Sequence, residues 1–235
     1  MTRQPFKSGL VVSCQALPGN PLRDTDTLAR MAHAAALGGA CAIRANGAAD
    51  IAAIRARTDL PLIGLDKRDI APGRRVITPT FDAARAVVAA GATVVAAEMT
   101  ASSAGLRDGA ADLIARIHDE LGAAVMADIA TFEEGVAAAR LGADLVSTTM
   151  SGYAGGPPMA EIGAYTPDFS LLERLAAARL GVPVVAEGRF WTLADVRRAF
   201  ALGAYAVVIG KAITNPMAAT RYFVQAVPPP APNGP

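Results

Sequence analysis

The stretch AVMADIATFEEGVAAARLGADLVSTTM, residues 124–150, decides the fold because it holds one complete repeat of the pattern the whole chain follows. Ala124–Ile129 is a short apolar run of strand character, and Leu145–Met150 is another. Between them, Thr131–Leu141 carries apolar residues at helical spacing and opens on Thr131, whose hydroxyl suits an N-cap. Gly142 stands just past the helix, where a left-handed cap is needed before the next strand. With Thr131 available to cap, Asp128 is left free at the end of its strand.

Outward from this repeat the pattern continues in both directions. Strand candidates are Leu10–Gln15, Ala40–Asn46, Leu60–Lys67, Thr93–Thr100, Ala124–Ile129, Leu145–Met150, Pro183–Glu187 and Ala206–Gly210. Helical stretches lie between them at Asp24–Leu37, Ala48–Arg57, Phe81–Ala90, Gly109–Leu121, Thr131–Leu141, Asp168–Arg179 and Thr192–Leu202, and a last helix starts near Pro216. The Gly-Ala punctuation recurs at Gly39-Ala40, Gly91-Ala92, Gly142-Ala143 and Gly203-Ala204, ahead of strands two, four, six and eight, which hints at a twofold-repeated unit.

Eight β/α units with strands apolar on both faces imply a parallel sheet covered by helices. Eight is also the number that closes a (β/α)8 TIM barrel, at a length near the usual ~250 residues. The rival, an open doubly wound sheet, would carry a Gly-rich dinucleotide turn after its first strand. The segment SCQALPGNP, residues 13–21, has no such turn. The expectation is a single α/β barrel over residues 1–227, with a Pro-rich, disordered tail at 228–235.

Composition narrows the function. Hydrophobic residues make up 52% of the 235 and charged ones 18%, enough apolar surface for a large core. A net charge of +1 gives no electrostatic case for nucleic acid or membrane surfaces, so any anion must be held locally. No run reaches ~18 apolar residues and the N-terminus has no export signal, so a cytoplasmic location is expected. Cys14 and Cys41 lack metal-type spacing and read as reduced core thiols. With only His33 and His118, both within helices, neither a metal cluster nor a Ser-His-Asp constellation can be assembled.

In a TIM barrel the site lies at the C-terminal strand ends. There this chain gathers its polar residues: Gln15, Arg44 and Asn46, Asp66-Lys67-Arg68, Glu98 and Thr100, Asp128, Thr148 and Thr149, Glu187 and Arg189. The opposite ends carry mostly Gly, Ala, Pro and Thr. Glu98, Arg68 and Asp69 read equally well as solvated loop residues. Lys67 is the informative one: at a barrel mouth beside Arg68, burial and like charge push an amine toward its neutral form. Glu187 stands four strands round the ring and so faces it. Two opposed proton carriers suit removing a proton from one face of a carbon and returning it to the other. Gly188 and Gly210 end strands seven and eight, where backbone N–H groups can approach a phosphate.

The segments AIRAN (42–46), IGLDKRD (63–69), VITPT (76–80), MADIAT (126–131), STTMSGY (147–153) and GAYAVVIGKAIT (203–214) together resemble the N-acetylmannosamine-6-phosphate 2-epimerase family. The likeness runs from about Leu10 to Tyr222. It implies a ribulose-phosphate-binding type of barrel in amino-sugar and sialic acid breakdown, working without cofactor or metal on a phosphorylated amino sugar, with a homodimer as the expected assembly. By the same resemblance Lys67 is the catalytic base and Glu187 its partner acid. Gln15, Arg44, Asp128, Thr148, Ser151 and Tyr153 line the sugar site, and Gly188, Arg189, Gly210 and Lys211 hold the phosphate. One departure stands out: the family's last motif ends in an arginine that grips phosphate, where this chain has Asn215 before Pro216. Asn215 is also a sound N-cap, and Lys211 could supply the missing charge.

Two other functions fit the same residues. Lys67 could form a Schiff base in an aldolase or lyase, which borohydride trapping would reveal. The altered Asn215 region would also suit a non-catalytic sugar-phosphate sensor, which would bind tightly without turnover.

Overall fold

A computed structural model describes residues 4–71, 74–154 and 165–228. Within them ten strands occur in chain order: β1 Gly9–Cys14, β2 Ala42–Asn46, β3 Leu62–Leu65, β4 Lys67–Ala71, β5 Arg74–Ile77, β6 Val94–Glu98, β7 Ala124–Asp128, β8 Leu145–Ser147, β9 Val184–Glu187 and β10 Ala206–Ile209. Eight of them close a parallel barrel in the order β1-β10-β9-β8-β7-β6-β3-β2, with Val11 opposite both Val208 and Ala42 at the closure. The helices are α1 Thr25–Leu37, α2 Ala48–Arg55, α3 Phe81–Ala89, α4 Ala110–Leu121, α5 Phe132–Arg140, α6 Phe169–Ala177, α7 Leu193–Ala201, α8 Lys211–Thr214 and α9 Pro216–Val224. The expected TIM barrel is therefore present.

Local chemistry explains the boundaries. The side chains of Asp24, Thr80, Thr131, Asp168, Thr192 and Asn215 accept backbone N–H groups at helix starts, and Thr131 with Glu134 completes a capping box. Gly142 and Gly203 adopt φ of 101° and 96°, the left-handed turn that the Gly-Ala punctuation anticipates.

The core has two layers. Val11, Ile63, Val94, Met126, Leu145, Val185 and Val208 fill the barrel interior. Ile43, Ile51, Leu62, Val87, Ile114, Ile117 and Leu175 pack between barrel and helices. Phe6 plugs the N-terminal end: it is buried, its ring lies 6.0 Å from that of Tyr205, and its carbonyl accepts the Tyr205 hydroxyl. Cys14 and Cys41 are free and buried, as expected of core thiols.

One element differs from the sequence expectation. The third barrel strand stops at Leu65, and Lys67 instead begins an antiparallel hairpin, β4–β5, in which it pairs with Ile77. Thr78, at φ 47°, returns the chain. Its N–H donates to the Asp66 carbonyl at 2.8 Å, and its hydroxyl donates to the Ala96 carbonyl at 2.7 Å. The hairpin is a separate two-stranded sheet, while β3 and β6 pair directly in the barrel.

No helix among the described residues is long and apolar enough to cross a membrane. The segment 229–235, which holds nearly all of the expected disordered tail, lies outside the described residues.

Candidate active site

Inward-facing side chains alternate along each strand, so above the apolar interior the next layer at the strands' C-terminal ends is set by register. Ser13 sits opposite Arg44, and Asp128 opposite Ser147. That layer is polar and buried. Arg44, 1% exposed, is the cation at its centre. Its Nη1 and Nη2 donate to Asp128 Oδ1 and Oδ2 at 3.0 and 2.6 Å, a bidentate pair, and Nη1 also lies 2.9 Å from Glu187 Oε2. Burial alone would weaken the guanidinium, but the two carboxylates outweigh it and hold Arg44 charged. Its Nε is buried with no partner among the described residues.

Lys67 follows β3, which neighbours the strand of Arg44 and lies across the barrel from β9, the strand of Glu187. The Lys67 N–H donates to Asn46 Oδ1 at 2.9 Å and its Nζ to Gln15 Oε1 at 2.8 Å, while Gln15 Nε2 donates to Ser13 Oγ at 3.0 Å. Burial, followed by the charge of Arg44, pushes Lys67 down to about 8 from the usual 10.5. The like charge acting on it most is therefore Arg44, with a smaller contribution from Arg75, and not Arg68 as its place in the sequence suggested. Adjacent strand residues face opposite sides, and Arg68 turns outward to pair with Asp66 at 2.9 Å. Glu187 is shifted the other way: burial raises it, Arg44 opposes, and Asp128 adds to the rise.

The turn after β8, residues 148–150, serves Glu187 twice. Thr148 Oγ1 donates to the Glu187 carbonyl at 3.1 Å and accepts the Glu187 N–H at 3.0 Å. Thr149 Oγ1 reaches Asp128 Oδ1 at 2.7 Å and Glu187 Oε2 at 3.1 Å. Ser151 is buried, with its hydroxyl given to Asp168 Oδ2 at 2.6 Å, whereas Tyr153 is half exposed on the loop beyond.

On the same rim, just past Glu187, Gly188 has φ 114° with open space where a side chain would stand, so its backbone can be approached closely. Gly210 lies against Ser13, where an added Cβ would sit 3.2 Å from the Ser13 Cβ. Arg189 differs from expectation. Its backbone, at φ 63°, turns the buried side chain back, and Nε and Nη1 donate to the carbonyls of Thr166 and Ser151 at 2.7 and 2.8 Å. In this structure it ties loop to barrel. Asn215 Oδ1 accepts the Ala218 N–H at 3.0 Å, so that side chain serves α9, and Lys211 is exposed at the start of α8.

Several other polar residues are structural. His33 Nδ1 lies 2.9 Å from the Arg57 carbonyl and His118 Nε2 lies 2.7 Å from Asp144 Oδ2, both away from the site. Glu98 is fully buried, paired with Arg74 from the hairpin and hydrogen-bonded by Thr100 at 2.7 Å. A cavity of about 540 Å³ opens at the opposite end of the barrel, lined by Arg179, Pro183 and Tyr205 among others, and holds no opposed acid and base.

Comparison with known proteins adds to this geometry. A family model described as "Putative N-acetylmannosamine-6-phosphate epimerase" matches residues 28–228. A relative from Caldanaerobacter subterraneus subsp. tengcongensis is 46% identical over 224 residues, covering 94% of this chain and 92% of its own. One from Cutibacterium acnes is 44% identical over 220 residues, covering 93% of each. Both bear the same description, as 2-epimerases. The solved N-acetylmannosamine-6-phosphate 2-epimerase of Clostridium perfringens superposes with a TM-score of 0.85 at 39% identity, covering 93% of both chains. A thiamine phosphate pyrophosphorylase of Pyrococcus furiosus, at TM-score 0.56 and 17% identity over 94% of this chain and 96% of its own, shares the fold alone.

Proposed function

The chain belongs to the N-acetylmannosamine-6-phosphate epimerase family, and from that premise we propose that it interconverts N-acetylmannosamine 6-phosphate and N-acetylglucosamine 6-phosphate by proton transfer at C2 between Lys67 and Glu187. The observation that carries this reading is the opposed shift of the two groups across one buried site. Lys67 is pushed down to about 8, and Glu187 is pushed up. Each is thereby brought closer to exchanging a proton near neutral pH.

A C2 proton is acidic only when C1 is a carbonyl, so the open-chain aldehyde is the reacting form. Neutral Lys67 takes the proton and becomes an ammonium, and the electron pair moves into C1–O1. Protonated Glu187 then returns a proton to the other face of C2, and the carbonyl re-forms. The enzyme is left with charged Lys67 and ionised Glu187, which is the pairing that runs the reverse reaction. Negative charge develops on O1 between the two steps. Arg44 is suited to stabilise it through its charge, which the neighbouring carboxylates hold in place. Asp128 holds that guanidinium in place through two hydrogen bonds. The phosphate is read at Gly188 and Gly210, with Lys211 as the nearby cation; Arg189 and Asn215 are already engaged elsewhere.

NMR of the turnover in deuterated water tests the scheme. Deuterium should enter at C2 of product, and turnover without it would remove proton transfer as the mechanism. Lys67→Ala should lower kcat by roughly 10²–10⁴-fold.

A further inference from the structure

Thr149 carries a single hydroxyl hydrogen and faces three acceptors. Asp128 Oδ1 lies at 2.7 Å, Ser147 Oγ at 2.8 Å and Glu187 Oε2 at 3.1 Å. Ser147 can donate its own hydrogen to Thr149, which leaves the Thr149 hydrogen to be shared between the two carboxylates. Arg44 Nη1 bridges the same two oxygens, at 3.0 and 2.9 Å. Glu187 Oε2 is thus gripped by a hydroxyl and a guanidinium. Oε1 has no hydrogen bond among the described residues and is left to meet the substrate.

We infer that Thr149 is a positioning residue that, by holding Glu187 Oε2, aims Oε1 at C2. Its hydrogen turns to Glu187 when that group is ionised, and to Asp128 when Glu187 carries the proton. The hydroxyl therefore adjusts to each half of the reaction by rotating, with no covalent bond changed. Thr148 complements it by clipping the Glu187 backbone at both N–H and carbonyl. The charged groups around Glu187 are Arg44 from β2, Lys67 at the start of the hairpin and Asp128 from β7. Of its surroundings, burial and Asp128 raise Glu187, whereas Arg44, the Thr149 hydrogen bond and Lys67 lower it.

The inference rests on the reading of Glu187 as the acid, and its test keeps the two apart. The reactive states, neutral Lys67 with protonated Glu187 and the reverse, hold the same number of protons. The pH profile of kcat is therefore a bell in both directions, with its acid limb set by Glu187 and its alkaline limb by Lys67. Thr149→Val keeps the shape and removes the hydroxyl. It should lower kcat about tenfold or more with KM little changed, and move the acid limb up by ~0.5–1 pH unit, because ionised Glu187 has lost a donor. Thr149→Ser should restore both. Thr149→Ala carries the same prediction should the valine variant misfold. A fall in kcat with an unmoved acid limb, or a serine variant as impaired as valine, overturns the positioning role. Full activity in Glu187→Gln would instead sink the underlying assignment of the acid.

Discussion

At pH 7, a lysine whose pKa is about 8 is neutral in only ~10% of molecules, which is enough to work as a base but still leaves a charge in a site that disfavours it. The consequence for stability follows in sign. Below about pH 8, Lys67 is charged in both folded and unfolded chains, so folding bears the full cost of the shift. Between 8 and the ordinary 10.5 the unfolded chain binds more protons, and stability rises with pH. Lys67→Met should therefore abolish turnover and yet raise stability at pH 7 by ~1–2 kcal/mol, the advantage shrinking toward pH 10. Urea melts of both proteins at the two pH values check it; a variant less stable than its parent at pH 7 contradicts the argument. Arg44 has the opposite balance. Arg44→Met leaves Asp128 and Glu187 buried without their cation, and should cost ~3–5 kcal/mol in the same melts. These residues were legible in the sequence because strand ends are predictable once the strands are. The cation beside Lys67 was not legible: closeness in the chain pointed to Arg68, and only the pairing of β2 with β3 brings Arg44 alongside.

Among the elements, the eight barrel strands and most helices could be read from period and punctuation, with ends displaced by at most three residues. The β4–β5 hairpin could not, because Leu60–Lys67 reads as a single apolar strand ending in charge. A Pro72-Gly73 dipeptide followed by Arg-Arg-Val-Ile was the available turn signal. The hairpin matters because its first residue is Lys67. Its return strand is anchored where Arg74 pairs with buried Glu98, and the Ile77 N–H lies 3.4 Å from Glu98 Oε2, directly opposite Lys67 in the ladder. Arg74→Met should loosen the hairpin while the barrel stays closed. Amides of β4 and β5 should exchange faster by mass spectrometry, kcat should fall severalfold, and stability should drop by ~1–3 kcal/mol, since the arginine is partly exposed. Unchanged exchange across both strands would remove Glu98 and Arg74 from that role. Gly64 gives a separate test of the packing between barrel and helices. A Cβ there would come within 2.5 Å of the Ala92 Cβ and 3.2 Å of the Val87 Cβ, so Gly64→Ala should cost ~1–3 kcal/mol.

Across the whole molecule, the two ends of the barrel have different duties. The C-terminal end keeps Arg44, Asp128, Glu187 and Lys67 in a charged layer whose members would be costly to bury singly. The N-terminal end is closed by Phe6 on Tyr205 and carries none of those groups. The apolar interior layers of Val, Ile, Met and Leu separate the two. Because the barrel closes on itself, removing the plug weakens every strand together and leaves the far rim in register. Phe6→Ala should therefore destabilise the protein by ~3–5 kcal/mol, lowering Tm by ~6–20 °C for a chain of this length. At a temperature well below the new Tm, kcat and the pH limbs should match the parent enzyme. A loss of kcat with the protein still folded would mean that the plug is coupled to the site, and that stability and catalysis are not divided between the two ends.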